Sequence, residues 1–399
     1  MPKNFYEVII VGGGASGVIS AIELSRGKNA ISGDKILILE KNDRILKKLA
    51  VTGNGQANLT NSSITEENFY GDKNFIKSAV QDILDIDIKK YLYGLGLKTV
   101  TDEVGRVYPL SKQASSVVDL FLAHLINNKV TIKTSQNVID VKKKDGVFAV
   151  KTNDTEYQSN NVIFSFGGSA GKQFGTDGSS YALLNSFGHK TTNLYPSLVQ
   201  IKTEREKIRG LKGLKEYALC TAFDGNVPLK SALGDVMFTD YGVSGSAIFQ
   251  ISGHFAKAKN PILNIEFLPD LDVAEIAEIL KNADKNSPIY NENAFLGIIN
   301  KRIGQNVLKT VQNKNYFTLS SALKNFTLKV TGSLGFDNAQ VTKGGIHTKD
   351  INVNDYQSKL LNGAYIIGEA LDVDGDCGGY NLSFAFSSGV KCARAIKND

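Results

Sequence analysis

The chain has 399 residues, of which 42% are hydrophobic and 22% charged, a balance that indicates a globular protein with two or three domains. The 46 Lys and Arg residues exceed the 40 Asp and Glu residues by only six, and they are scattered, so we expect no nucleic-acid partner. No apolar run approaches the roughly 20 residues of a membrane span, which argues against a membrane partner. The three cysteines have neither disulfide nor metal-ligand spacing, so we expect no metal site and a cytoplasmic location.

The first 40 residues have the pattern of a βαβ unit. We predict an apolar strand over Glu7–Val11, a helix over about Ala15–Arg26, and a second apolar strand that ends at Glu40. Apolar strands without alternation are typical of a parallel sheet that is covered on both faces. The segment therefore predicts an α/β fold in which the first helix crosses between two parallel strands.

Three glycines lie between this first strand and the helix. Gly12, Gly14 and Gly17 have the spacing G-x-G-x-x-G, which permits a tight turn, close approach of a pyrophosphate, and close packing of helix on strand. The N-terminus of the helix offers free N–H groups to the phosphates. Glu40 follows Gly17 by 23 residues, at the strand end where its carboxylate accepts hydrogen bonds from ribose hydroxyls. The unit therefore predicts a dinucleotide site.

The next elements alternate between loops, helices and short strands. A loop rich in Gly, Asn and Thr covers residues 52–61, and an amphipathic pattern predicts one helix over about 74–95. A further helix is predicted over 114–127, after the segment GRVYP. Residues 130–162 read as short alternating strands, and KKDG between two of them indicates a hairpin.

In the second half of the chain the periodicity of the apolar residues changes twice. Strand-like alternation continues over about 195–268, residues 273–323 look helical, and the last segment returns to a strand, a glycine-rich turn and a final helix to Ile396. Predicted strands of the cofactor domain therefore lie near both ends of the chain. We predict a discontinuous cofactor-binding domain over 1–190 and 345–399, a β-rich inserted domain over 191–270 and 325–344, and a small helical domain over 271–324.

The glycine motif alone does not separate FAD from NAD, but three other segments favour FAD. They are VTGNGQANLTN at 51–61, the apolar strand that runs into Gly167 and Gly168, and the glycine-rich turn that precedes the last helix. The N-terminus of that last helix would favour negative charge on a reduced flavin ring. Contacts from both ends of the chain suit an extended FAD. No second strand–G-x-G-x-x-G–helix unit follows, so NAD(P)H, if it is the donor, visits the flavin pocket only transiently.

Three side chains are candidates for catalysis. His189 has the chemistry to protonate a carbanion, or it is a structural residue at a helix end. Tyr241, in a glycine-lined turn with Ser244, either delivers a proton opposite a hydride or packs as an aromatic side chain. Arg106, in GRVYP, either holds a substrate carboxylate or pairs with a nearby acid.

Segments along the whole chain, in the same order, resemble those of the HI0933-like, or BaiN/YhiN-type, bacterial flavoproteins. Some of these proteins are called aminoacetone-oxidase-family enzymes. The segments include VIIVGGGASG, TGNGQAN, GRVYP, FGGSAGKQFGTDGSSY, MFTDYGVSGSAIFQIS, VTKGGI and GEALDVDGDCGGYNLSFAFSSG. The resemblance implies an FAD domain of the glutathione-reductase type, interrupted by a β-barrel-like domain and a small helical domain. With the motif analysis, it predicts FAD contacts at Gly12, Gly14, Ala15, Ser16, Gly17, Glu40, Lys41, Thr52, Gly53, Asn54, Gly55, Asn58, Gly167, Gly168, Gly368, Glu369, Asp372, Gly379, Tyr380, Asn381 and Leu382.

The chain departs from the family pattern at two places. Gln56 and Ala57 stand where the family usually has Arg and Cys, so any role of those two side chains is absent here. Cys377 precedes the glycines of the last turn, either as a free thiol near the cofactor or as a small buried filler.

The resemblance implies an FAD-dependent oxidoreductase that moves a hydride between flavin N5 and a small or medium organic molecule. Reduction of an activated C=C bond is the leading reaction, with NAD(P)H as the candidate electron donor. One alternative is oxidation of an amine such as aminoacetone by O₂. The other is a non-redox role as an FAD-binding module for RNA modification or for a protein partner.

Overall fold

The computed structural model describes residues 4–286 and 295–398, with no side chains described for 284–286. Among its helices, none combines the length and apolar character that a membrane crossing needs. The helices in these ranges are α1 (Ala15–Leu24), α2 (Lys73–Ile86), α3 (Ile88–Gly94), α4 (Ala114–Asn127), α5 (Tyr181–Asn185), α6 (Ser246–Ser252), α7 (Val273–Asn286), α8 (Lys301–Thr310), α9 (Tyr316–Lys324) and α10 (Tyr380–Asn398).

The strands are short in most cases and longest in the middle of the chain. They are β1 (Phe5–Val11), β2 (Ile36–Leu39), β3 (Thr60–Asn61), β4 (Phe69–Gly71), β5 (Thr99–Thr101), β6 (Arg106–Pro109), β7 (Thr131–Lys133), β8 (Val138–Lys144), β9 (Val147–Thr152), β10 (Glu156–Phe164), β11 (Tyr195–Ser197), β12 (Ile201–Thr203), β13 (Lys215–Asp224), β14 (Val227–Phe238), β15 (Gly242–Ser244), β16 (Pro261–Phe267), β17 (Phe326–Ser333), β18 (Val341–Lys343), β19 (Ala364–Ile366) and β20 (Val373–Gly375).

The chain folds into two compact units. Unit 1 comprises Met1–Tyr195 and Val341–Asp399, and unit 2 comprises Pro196–Gln340. Each unit has its own cluster of buried apolar side chains. The finer partition into three domains stays a prediction, and part of its helical segment, residues 287–294, lies outside the described residues.

The main sheet of unit 1 has parallel strands in the order β7-β2-β1-β10-β19, and β9 and β8 extend it antiparallel beyond β10. The register places Val11 beside Leu39 and Phe164, so the carboxyl ends of three central strands meet at one edge. Asp145 and Gly146 connect β8 and β9 with φ values of 51° and 83°, the backbone of a two-residue hairpin turn. The hairpin predicted from KKDG is therefore present.

Helices α1 and α10 pack against each other in unit 1. Ser20 of α1 donates a hydrogen bond to the Gly389 carbonyl oxygen of α10 at 3.0 Å. A Cβ atom at Gly389 would lie 2.6 Å from the Ser16 carbonyl oxygen, so glycine is required for this approach. The last helix of the chain is thus held against the helix of the βαβ unit.

The single helix predicted over 74–95 is wrong, because the segment forms α2 and α3 with a break at Asp87. Asp87 has a left-handed backbone with a φ of 47°, and its carboxylate accepts a hydrogen bond from the Lys90 N–H at 3.1 Å. It therefore ends one helix and caps the next. Buried Ile83 and Ile88 continue the apolar pattern across the break, which is why periodicity predicted one helix.

Unit 2 contains a closed barrel with strand order β12-β15-β14-β13-β16-β17. Buried and exposed positions alternate along β17, the pattern of a strand with one face toward a core. Helices α7, α8 and α9 contribute Ile276, Ile303 and Leu323 to the same buried cluster as the barrel. Unit 2 therefore combines the β-rich and helical material that the sequence predicts.

Candidate cofactor site

The glycine turn between β1 and α1 has no room for a side chain at two of its three motif positions. Gly12 has a φ of +108°, and a Cβ atom there would lie 2.6 Å from the Ser165 carbonyl oxygen. A Cβ atom at Gly17 would collide with the Gly12 carbonyl oxygen. At Gly14 the nearest atom to such a Cβ would be 3.9 Å away, an ordinary van der Waals distance, so this position is not crowded. The turn is packed on one side and accessible on the other.

The N-terminus of α1 is open to an anion at this turn. Among the described residues no side chain caps α1, and its first turn contains no acidic residue. The N–H groups of a first helical turn have no partner within the helix, and together with the helix dipole they attract phosphate. The predicted contacts Ala15 and Ser16 stand in this turn, and Ser16 is buried.

Glu40 lies directly after β2 with 8% of its surface exposed. One carboxylate oxygen accepts a hydrogen bond from the Gly13 N–H at 2.8 Å, and the other accepts from the backbone and side-chain amides of Asn42 at 2.8 and 2.6 Å. An ionised carboxylate accepts about four hydrogen bonds, so capacity for a ribose hydroxyl remains. The neighbouring Lys41 pairs with Asp177 at 3.0 Å. We refer to residues 12–17 and Glu40 as the first wall.

The loop predicted as a second cofactor contact bends through several left-handed residues. Gly53, Asn54, Gly55 and Ala57 have φ values of 57°, 54°, 82° and 58°. Three of these are exposed, whereas Ala57 is fully buried, so the side chain that replaces the usual family Cys packs inward. Glycine adopts this backbone readily and asparagine tolerates it, so the strain falls on Ala57, and strain of this kind concentrates at ligand sites.

This loop meets the start of α10. In the orientation that satisfies both atoms of its amide, Asn58 donates to the Thr60 carbonyl oxygen at 3.1 Å and accepts from the Gly379 N–H at 3.2 Å. The Asn61 amide donates to the Gly378 carbonyl oxygen at 2.9 Å. The structure therefore brings together two predicted contact segments that are more than 300 residues apart. We refer to residues 53–61 and 368–381 as the second wall.

The turn before α10 is held by Asn381. Its side chain accepts from the Gly375 N–H at 2.8 Å and donates to the Gly375 carbonyl oxygen at 2.9 Å. Tyr380 packs edge to face on Phe69, with ring centroids 6.0 Å apart, and its hydroxyl donates to the Ser63 carbonyl oxygen at 3.4 Å. Leu382 packs partly buried against the core. The side chains of 380 and 381 thus shape the turn itself.

The second wall begins where Gly368 approaches α1. A Cβ atom at Gly368 would lie 2.6 Å from the Ser16 hydroxyl oxygen. Next to it, the Glu369 carboxylate pairs with Lys48 at 2.7 Å and accepts from the Thr342 N–H at 2.8 Å. A Cβ atom at Gly168 would collide with the Thr342 side chain. The predicted contacts at 168, 368 and 369 are therefore brought together with the first wall.

Two buried carboxylates of the second wall lie in a network that the sequence analysis missed. The Tyr70 hydroxyl donates to Asp376 at 2.6 Å, and Lys343 lies 3.7 Å from Asp374 with its ammonium 4.5 Å from the centre of the Tyr70 ring. Burial and the charges of the neighbouring Asp372 and Asp376 outweigh the attraction of Lys343, and the pKa of Asp374 is raised to about 7. Pairing of β20 with β4 brings these segments together, and no local motif signals it.

Arg106 is the catalytic candidate that the structure places at the second wall. It pairs with Asn61 across β3 and β6, and Asn61 in turn contacts Gly378. Its guanidinium is half-exposed, with Asp102 at 3.7 Å. Burial raises the pKa of the Cys377 thiol, and the nearby charge of Arg106 lowers it. Arg106 therefore stands as a cation near the start of α10.

His189 is buried, with 3% exposed, after α5. The Ser358 hydroxyl lies 2.7 Å from its Nε2 and also accepts hydrogen bonds from the N–H groups of Leu360 and Leu361. Because those two bonds occupy the oxygen lone pairs, the hydroxyl donates its proton to Nε2. Burial lowers the pKa of His189, so the ring is neutral near pH 7. Its role in catalysis stays a prediction.

Tyr241 belongs to unit 2, between β14 and β15. It is half-buried, and its carbonyl oxygen accepts a hydrogen bond from the Thr203 N–H at 3.0 Å. The adjacent turn needs glycine, because a Cβ atom at Gly242, which has a φ of +156°, would collide with the Ile201 carbonyl oxygen. The glycine next to Tyr241 is thus explained by barrel packing, and the role of the phenol stays a prediction.

The two walls together fit a dinucleotide of the FAD type. The open N-terminus of α1 at Gly14 suits a pyrophosphate, and Glu40 suits the ribose of the adenosine half. The second wall continues from Gly368, beside Ser16, to the start of α10. A cofactor that extends beyond its pyrophosphate finds further backbone and polar groups there. These contacts stay predictions for each residue.

Comparison with known proteins agrees with this reading of the chain. The family model described as HI0933-like protein Rossmann domain matches residues 6–395. The 3-dehydro-bile acid delta(4,6)-reductase of Clostridium scindens is 33% identical over 404 residues, which cover 97% of this chain and 98% of that protein. Ribosomal RNA dihydrouridine synthases of Haemophilus influenzae and Escherichia coli are 27% and 25% identical, with 99% and 98% of this chain covered and the same shares of those proteins.

Solved structures support the predicted fold class. The 3-ketosteroid-delta4-(5alpha)-dehydrogenase of Rhodococcus jostii covers 100% of this chain and 98% of its own, with a TM-score of 0.54 and 14% identity. The 3-ketosteroid delta1-dehydrogenase of Sterolibacterium denitrificans covers 99% and 100%, with a TM-score of 0.51 and 13% identity. At these identities the likeness concerns the fold alone. It confirms the predicted α/β class with a Rossmann-type domain.

Proposed function

Because the chain belongs to the HI0933-like family and is an FAD-dependent oxidoreductase, we propose that it reduces a C=C bond conjugated to a carbonyl group. The observation that carries the proposal is the 33% identity, over 97% of the chain, to a 3-dehydro-bile acid delta(4,6)-reductase. When bound, FAD supplies hydride transfer at N5 of its flavin ring. The two walls of unit 1 supply the groups that hold this cofactor.

The proposed reaction asks two things of the protein beyond holding the cofactor. Negative charge develops on the carbonyl oxygen as hydride reaches the far carbon of the double bond, and a proton must reach the carbon between them. A cation near the carbonyl oxygen stabilises that charge. Arg106 is half-exposed beside the start of α10, and its nearest acid, Asp102, is 3.7 Å away. We assign Arg106 to the carbonyl oxygen of the substrate.

A second candidate substrate, uridine within RNA, follows from the two dihydrouridine synthases. Uracil also carries a C=C bond conjugated to a carbonyl group, so the chemistry is the same. Arg205, Arg209, Lys301 and Arg302 are all exposed in unit 2, and Arg302 donates to the Gly210 carbonyl oxygen at 3.2 Å, which brings the start of α8 to the 205–210 segment. Cations grouped in this way suit the phosphates of RNA.

Anaerobic mixing tests the proposal. We expect NADH or NADPH to bleach the flavin absorbance, and a 3-oxo-Δ4 steroid to restore it. The saturated 3-oxo steroid, which lacks only the C=C bond, is the matched control and should restore nothing.

Other outcomes contradict the proposal in distinguishable ways. Recovery of the flavin absorbance on addition of a ribosomal RNA transcript, but not of the steroid, would favour RNA as the substrate. Bleaching of the oxidised flavin by aminoacetone would favour the amine oxidase. A protein that stays colourless after reconstitution with FAD would overturn the assignment of the cofactor.

A further inference from the structure

Tyr181, the first residue of α5, carries a buried hydroxyl that no group in the described residues satisfies. The residue is 4% exposed, and its oxygen has no hydrogen-bond partner. Other buried tyrosines of unit 1 do have partners, since the Tyr91 hydroxyl donates to Glu23 at 3.0 Å and the Tyr356 hydroxyl donates to Asp82 at 3.1 Å. A buried polar group that lacks a partner is costly, so its retention needs an explanation.

The side chain of Tyr181 lies between the two walls of the cofactor site. Its ring packs edge to face on Phe166, with centroids 5.4 Å apart, and Phe166 directly follows Ser165, whose carbonyl oxygen faces Gly12. On the side of the second wall, the hydroxyl lies within range of the charges of two carboxylates. Burial raises the pKa of Tyr181, and the charges of Glu369 and Asp372 raise it further.

These surroundings define what the hydroxyl can do. Because its pKa is raised, the phenol stays protonated at neutral pH and has a hydrogen bond to donate. The nearby Glu369 carboxylate binds the Lys48 ammonium and the Thr342 N–H, and it makes no hydrogen bond with the Tyr181 hydroxyl. The hydroxyl therefore requires an acceptor that the described chain does not supply.

We propose that Tyr181 is a cofactor-binding residue, whose hydroxyl donates a hydrogen bond to the ribityl segment of FAD. The residues around it place it there, because Ser165 and Phe166 adjoin the turn for the pyrophosphate, and residues 369–372 lead from that turn toward α10. The hydroxyls of a ribityl chain are good acceptors. The inference rests on the binding of FAD in unit 1 and is independent of the substrate.

The test is Tyr181→Phe in the full-length protein, which removes only the hydroxyl. We expect the dissociation constant of FAD, measured by quenching of flavin fluorescence on addition to the apoprotein, to rise about five- to tenfold, the effect of one hydrogen bond. ADP, which lacks the ribityl and flavin groups, should bind the variant as tightly as the wild type. The Tm of the apoprotein should be unchanged or higher, since an unsatisfied buried group is removed.

The matched control is Tyr91→Phe, which removes a buried hydroxyl that has a protein partner. It should lower the Tm of the apoprotein and leave the affinity for FAD unchanged. Tyr181→Phe with wild-type affinity for FAD would mean that the hydroxyl binds only water, and would overturn the proposal. A lowered Tm like that of Tyr91→Phe, or equal losses of ADP and FAD affinity, would overturn it as well. A wild-type chain that binds no FAD would instead contradict the assignment of the cofactor.

Discussion

The two walls of the cofactor site are built in different ways. The first wall comes from residues 12–17 and Glu40, which belong to one contiguous βαβ unit and are held by backbone packing against Ser165. The second wall joins residues 53–61 to residues 368–381 through the side chains of Asn58 and Asn61. Its buried charges, Asp374 and Asp376, depend on partners from two further segments.

This difference indicates which parts of the site tolerate substitutions and which do not. At Gly12 and Gly17 of the first wall, backbone atoms stand where a Cβ atom would be, so no side chain fits at these two positions. In the second wall, polar side chains carry the contacts, so substitutions change affinity, charge or pH dependence before they disrupt the fold. Mutations in the first wall should therefore reduce stability, whereas mutations in the second wall should change affinity, catalysis or pH dependence.

The largest effect is expected for Gly12→Ala in the first wall. The φ of +108° is unfavourable for alanine, and the new methyl group would lie 2.6 Å from the Ser165 carbonyl oxygen. Backbone strain and overpacking together should lower the free energy of unfolding by about 2–5 kcal/mol. Urea unfolding of the apoprotein measures the stability, and flavin fluorescence measures the loss of FAD. Stability and FAD affinity close to those of the wild type would mean that the first wall tolerates substitutions as well as the second wall does.

Arg106→Ala in the second wall should reduce catalysis and spare the cofactor. Loss of the cation that we propose for the carbonyl oxygen should lower kcat about 100-fold, the usual effect of one such group, with FAD affinity and Tm close to wild type. Steady-state kinetics with the accepted substrate measures this. Arg106→Lys, which keeps the charge, should recover part of the kcat. A change in KM alone would mean that Arg106 holds the substrate without stabilising the transition state.

The contrast between the walls also explains what the sequence predicts well. The first wall is predictable because each of its residues follows from the order strand, glycine turn, helix and strand within Glu7–Glu40. Arg106 was a candidate only as an arginine in a motif, and its position near Gly378 depends on the pairing of β3 with β6. Lys343 and Tyr70 were not predicted, because β20–β4 pairing joins segments that no local pattern links.

The buried carboxyl groups of the second wall should affect the pH dependence of stability differently from exposed carboxyl groups. Asp374 has a pKa of about 7 in the folded state against an ordinary value of 3.8, because burial outweighs the attraction of Lys343. Between these values the folded protein holds a proton that the unfolded chain releases, so stability falls as the pH rises from 3.8 to about 7. Asp374→Asn should remove this part of the fall, as measured by urea unfolding across the range.

Asp177→Asn provides the control for that experiment. Burial raises the pKa of Asp177, but hydrogen bonds from Ser179 and Lys41 and the Lys41 charge outweigh it and lower the pKa to about 2. Asp177 therefore stays ionised in both states above about pH 5, and its replacement should leave the slope between pH 5 and 7 unchanged. Parallel curves for Asp374→Asn and the wild type would show that Asp374 does not hold the proton.

Of the two glycine substitutions in the walls, Gly55→Ala in the loop of the second wall is expected to have the smaller effect on stability. Gly55 has a φ of +82°, but no atom of the described chain would lie within 4 Å of an added Cβ, so alanine meets backbone strain and no collision. The free energy of unfolding should fall by about 1 kcal/mol. Gly27→Ala, with a φ of +78° and equally open surroundings after α1, is the matched control and should lose a similar amount. If FAD approaches Gly55 as predicted, only Gly55→Ala will also bind FAD more weakly. Equal FAD affinities in the two variants would remove Gly55 from the cofactor contacts and leave Asn58 as the anchor of this loop.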